Sequence, residues 1–107
     1  MLCLMTNSKE QEFRRPRIHT RLFRYAQWQT LRVLGRKRVQ SNVLSFKMNL
    51  DVQTPGISRT LFINRVREID HTSLLMRDIR PGMHCLDLGS NIGYYSLLMA
   101  SLVGPYG

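Results

Sequence analysis

The residues best suited to chemistry lie late in the chain, in Cys85-Leu86-Asp87-Leu88-Gly89-Ser90-Asn91-Ile92-Gly93, followed by Tyr94-Tyr95-Ser96-Leu97-Leu98-Met99-Ala100-Ser101-Leu102. A short apolar run with one acid near its end leads into a turn with two glycines and then a helix apolar nearly all round. This order predicts the first β–α unit of an open α/β sheet, with residues 83–88 as the strand. In such sheets ligands sit beyond the strand's carboxyl end. Gly89 lets the backbone turn sharply and puts no side chain between it and a ligand. Gly93 is expected to let the helix start approach the strand closely. Asp87 is placed to accept hydrogen bonds or to orient a polar group in the crevice. The spacing narrows the ligand. A dinucleotide fingerprint, GxGxxG, needs glycine where this chain has Asn91, and a Walker loop needs a Gly-Lys pair that the chain lacks. The plainer reading is a strand–helix turn in an unrelated α/β protein.

The elements that must hold this turn come earlier. Pro16 suits a first helical turn, and no further Gly or Pro occurs before Gly35, a plausible helix stop. Within that helix Ile18, Leu22, Tyr25, Gln29 and Arg32 share one ridge, and Leu22, Ala26, Gln29 and Val33 the next. Arg14, Arg17, Arg21 and Arg24 surround the diluted apolar stripe. Such a basic helix suits an anionic membrane surface or nucleic acid, with residues 13–38 making the contact. The plainer expectation is a solvated helix packed down by Leu22, Phe23, Trp28 and Leu31. Gly35-Arg36-Lys37-Arg38 reads as a basic loop, a solvated turn with phosphate contact as the alternative. Leu44, Phe46, Met48, Leu50 and Val52 alternate with polar residues, the period of a half-buried strand, and Thr54-Pro55-Gly56 ends it. Residues 57–79 read as helix in two pieces, broken near 64–68. Pro81-Gly82 closes that segment.

Composition bounds the rest. The chain has 107 residues and a net charge of +9. Residues 1–50 carry eleven Lys+Arg against two Asp+Glu, and residues 51–107 carry five of each, so the first half holds the whole excess. Two cysteines, Cys3 and Cys85, make no disulfide scaffold, and no apolar run reaches the roughly 18 residues of a membrane span. Residues 1–12 read as a frayed polar terminus without a signal-peptide core, and a cytoplasmic location is the expectation. His19, His71 and His84 lack ligand-type spacing, so no metal site is assigned.

The D-x-G-x-x-x-G spacing resembles motif I of class I S-adenosylmethionine-dependent methyltransferases. The longer run Leu86-Asp87-Leu88-Gly89-Ser90-Asn91-Ile92-Gly93-Tyr94-Tyr95-Ser96-Leu97 is similar to the signature of the FkbM family among them. Met48-Asn49-Leu50-Asp51, Gly56-Ile57-Ser58, and Glu68 with Thr72 fall in the order expected upstream; Ala100 and residues 102–107 resemble the helix end and following loop. The resemblance implies methyl transfer from S-adenosylmethionine to a hydroxyl of a sugar or small molecule. It implies that Asp87, Gly89, Asn91 and Gly93 line the cofactor site, with Ser90 beside them. Glu68 is a further candidate; a helix-start carboxylate at the positive dipole end is the plainer reading of it. The expected fold is α/β: an incomplete Rossmann-like methyltransferase domain over residues 41–107, its first β–α unit preceded by a strand and helices, behind a basic helical region at 1–40. The strand that bears the family's ribose-binding acid has no counterpart here, nor has the acceptor site. The chain is therefore expected to be a fragment with negligible transfer activity alone. No catalytic base is assigned. The alternative is a basic binding module for nucleic acid or anionic membrane, without catalysis.

Overall fold

The structure, a computed structural model, describes residues 15–54 and 56–107. The polar terminus at 1–12, Cys3, Arg14 and Pro55 lie outside the described residues. The chain forms a small α/β fold: helix α1 (Ile18–Val33), strands β1 (Arg38–Val43) and β2 (Phe46–Asp51), helices α2 (Ile57–Asn64), α3 (Ile69–Asp78) and α4 (Tyr94–Val103), and a 3₁₀ turn at Gly104–Tyr106. β1 and β2 pair antiparallel in a two-stranded sheet. By packing, the chain divides into two compact units, one up to Ile69 and one from Asp70 to Gly107. The packing boundary at 69/70 lies elsewhere than the expected division into 1–40 and 41–107.

In the first unit α1 runs until Leu34, where Gly35 takes φ +70. The Gly35 amide donates to Arg32 O and the Arg36 amide to Leu31 O, each at 3.0 Å. This paired closure is a Schellman motif, and it satisfies carbonyls that the helix end would leave open. The buried side of α1 differs from expectation. Trp28 is fully buried and Leu31 half-buried, but Leu22 and Phe23 are exposed. Ile18, Leu22 and Val33, apolar members of the two ridges, are exposed. At 3.6 residues per turn Arg21 and Arg24 fall on the Trp28 side of the helix. Arg24 Nη1 donates to the carbonyls of Phe62 and Ile63 at 3.4 Å. A cation thus meets the negative end of α2, an interaction that favours turning this face inward.

The alternating segment is a hairpin rather than one strand over 44–52. Leu44 and Ser45 form the turn, with Leu44 at φ +51, and β1 pairs from Arg38↔Asp51 to Val43↔Phe46. The basic loop therefore ends at Lys37, and Arg38 begins β1. Val43, Met48, Leu50 and Val52 are buried with Trp28, Leu61 and Val66, and the Trp28 and Phe62 rings lie 5.4 Å apart. The break in the helical region falls where the sequence placed it. Arg65 ends α2 at φ +60, and its carbonyl accepts from the Leu44 amide at 3.0 Å, tying the hairpin turn to the helix end.

In the second unit residues 83–88 do not form the expected strand. They have no regular structure and pair with no strand among the described residues. An apolar run becomes a strand only when a neighbour takes up its backbone groups. Here Leu86 and Leu88 are 81% and 85% exposed. α4 buries Tyr94, Leu98 and Val103, and leaves Leu97 exposed despite its apolar composition.

Candidate functional site: the glycine turn before helix α4

The turn is held from both sides by bonds within the second unit. The Gly82 amide donates to Val103 O at 2.7 Å, fixing the start of the segment against the end of α4. At the other end the Gly93 amide donates to Ser90 O at 2.8 Å, and the Leu97 amide to Gly93 O at 2.9 Å opens the helix. Between these anchors Gly89, Asn91 and Gly93 take φ values of +77, +51 and +81. Two glycines and an asparagine are the residues that enter this region with least strain, so the local sequence writes the turn directly. Gly93 is needed for its φ. A Cβ there would meet nothing within 4 Å, so close helix–strand packing is not its role, contrary to expectation. The same open space surrounds Gly89.

Asp87 is half-buried, and its Oδ2 accepts a hydrogen bond from Ser96 Oγ at 2.6 Å. Ser96 lies in the first turn of α4, where a carboxylate also meets the helix's positive end. The bond fixes the carboxylate and leaves Oδ1 without a protein partner among the described residues. Ser90 and Asn91 are exposed beside it. Asp87, Gly89, Ser90, Asn91 and Gly93 thus share one turn. Glu68 belongs to the first unit, directly before α3. It is exposed, takes φ +42, and its Oε1 lies 3.3 Å from Arg67 Nη2.

Two contacts that organise this unit were not legible as functional. The hydroxyls of Thr72 and Tyr94 lie 2.9 Å apart and both side chains are buried, which fixes the first residue of α4 against α3. Tyr95 stands edge-on to Tyr94, with ring centroids 5.0 Å apart. Thr72 and Tyr94 stand in the sequence as members of the family-like pattern, and the structure gives them a packing role. The Asp87–Ser96 bond spans nine residues, too far for a local spacing rule to signal. Cys85 is a free, exposed thiol. No helix among the described residues is long and apolar enough to cross a membrane. Comparison with protein-family models, with curated proteins and with solved structures finds no match for this chain.

Proposed function

We propose that residues 41–107 are the N-terminal part of a Rossmann-like, S-adenosylmethionine-dependent methyltransferase domain of the FkbM type, acting in its complete form on a hydroxyl of a sugar or small molecule. The observation that supports this most is the turn itself: positive φ at Gly89, Asn91 and Gly93 directly before a helix, with the preceding Asp87 held by Ser96. The residues fit the methionine and ribose portions of such a cofactor. The space around Gly89 and Gly93 is open, and Asp87 Oδ1 and the Ser90 and Asn91 side chains offer polar contacts without a phosphate grip. When bound, the cofactor supplies an electrophilic methyl group to an acceptor oxygen placed in line with it. This chain's part is to position: Ser96 orients Asp87, and the Thr72–Tyr94 contact sets the helix behind the turn. The exposed Leu86 and Leu88 on either side of Asp87 match a strand of a parallel sheet whose neighbours lie elsewhere in a complete domain.

The test is an amide-resolved NMR titration with S-adenosylmethionine. Weak, saturable shifts confined to Gly89, Ser90, Asn91 and Gly93, lost in Asp87→Ala, are expected, with negligible methyl transfer. Shifts that spare the turn would overturn the reading, and tight binding would overturn the fragment part of it.

A further inference from the structure

A cleft in the first unit, formed by α1, the hairpin and the end of α2, is lined by Arg24, Lys47 and Arg65 together with the amides of Gln27, Gln40 and Asn42. Its volume is about 380 Å³, within the range of small-molecule sites. The hairpin register sets Asn42 directly opposite Lys47. No Asp or Glu lines the cleft, and none of its three cations has a carboxylate partner among the described residues. Arg24 spends Nη1 on the α2 carbonyls, which leaves its other guanidinium N–H groups for a ligand. Burial, and then the nearby Arg65 charge, lower the Arg24 pKa. Among the described residues, cations are therefore gathered here with no anion between them. Their mutual repulsion is outweighed by their attraction to a multiply charged anion that enters.

We propose that this cleft binds the phosphate group of a small phosphomonoester, about the size of a mononucleotide. A phosphate dianion has enough oxygens to meet two guanidinium forks and an ammonium together, which a single carboxylate has not. The amides then give orientation, as donors to phosphate or as either partner to the ester's polar body. The cleft belongs to the first unit and the glycine turn to the second, and the proposal is independent of the methyl-transfer reading.

Trp28 is the single tryptophan of the chain, and its ring neighbour Phe62 lines the cleft, so Trp28 fluorescence reports occupancy. Titrations use inorganic phosphate, adenosine 5′-monophosphate and, as the uncharged control, adenosine. Both phosphates are expected to saturate the site and adenosine to have no effect; tighter binding of the monophosphate than of phosphate assigns an ester, and parity assigns free phosphate. Lys47→Gln and Arg65→Asn should each weaken binding about tenfold, the worth of one charge-assisted hydrogen bond. Asn tolerates the left-handed backbone of residue 65, so an unchanged melting curve keeps that variant interpretable. Arg36→Gln alters a basic residue outside the cleft and should leave affinity unchanged. Absence of saturable phosphate binding, or an equal loss in Arg36→Gln, would show only diffuse attraction to a +9 chain and would overturn the proposal.

Discussion

Single side chains in this protein do most of their work by tying backbone turns. Asp51, at the end of β2, accepts from the Gln53 amide at 2.9 Å and the Thr54 amide at 3.3 Å through Oδ1, and from Thr54 Oγ1 at 3.0 Å through Oδ2. The Gln53 amide bond, then the two bonds from Thr54, hold its carboxyl below the ordinary aspartate value. A carboxylate with a depressed folded-state pKa adds stability that is fully present above its unfolded pKa of about 3.9, and that is lost as pH falls through the folded value. Thr54→Val should therefore raise the Asp51 pKa toward the ordinary value, read by NMR titration of its carboxyl carbon. An unchanged pKa would mean that the turn does not persist in solution. Asp87 is the other such tie. Its place at the end of an apolar run was legible in the sequence, but its Ser96 partner was not, because only the fold of the turn brings residues 87 and 96 together.

At the scale of elements, what was legible depended on whether the signal was local. The helix stop at Gly35 and the glycine turn at 89–93 depend on backbone conformations that their own residues favour, and both are present. Gly35→Ala puts a Cβ where nothing crowds it, so the change isolates the conformational penalty of a left-handed residue, about 1 kcal/mol. On a domain of this size that lowers the melting temperature by about 4–8 °C, with Gly35→Asn falling between the two. A melting temperature equal to that of the parent would argue against the Schellman closure. The hairpin was less legible. Its turn is Leu44-Ser45, with none of the Asn-Gly or Asp-Gly chemistry that marks such turns, and Leu44 stands at φ +51. The alternation of Val39, Ser41 and Val43 against Arg38, Gln40 and Asn42 was the available signal for β1, masked by the basic run before it. On α1 the stripe rule failed, because Arg24 is drawn to the carbonyl end of α2 and a helix has only one inward face.

Over the whole molecule the buried side chains are unevenly shared. Trp28, Val43, Met48, Leu50, Val52, Ser58, Leu61 and Val66 are buried in the first unit, and Thr72, Tyr94, Leu98 and Val103 in the second. Opening free energies follow local burial, so amides of β2 should exchange with deuterium more slowly than those of α4, by about tenfold or more. Hydrogen-exchange mass spectrometry reads this directly, and faster exchange in β2 would contradict it. The exposed Leu86 and Leu88, in a segment that pairs with no strand among the described residues, should be the first site of chymotryptic cleavage. Leu86→Ser with Leu88→Ser should remove that cut and lower self-association; an early cut elsewhere would show that the segment is better protected than its exposure indicates.

By itself the sequence determined the features written in local conformation and composition. These are the helix stop at Gly35, the break near residue 65, the left-handed turn at 89–93, and a charge excess confined to residues 1–50. Tertiary structure alone decided which face of α1 turns inward, that the alternating segment folds back on β1, and that residues 83–88 have no partner strand among the described residues. It also gathered Arg24, Lys47 and Arg65, far apart in the chain, around one polar cleft. The physical reason is common to all of these. A φ angle answers to its own residue, whereas a buried face, a strand pair or a cluster of charges is defined only by what stands opposite.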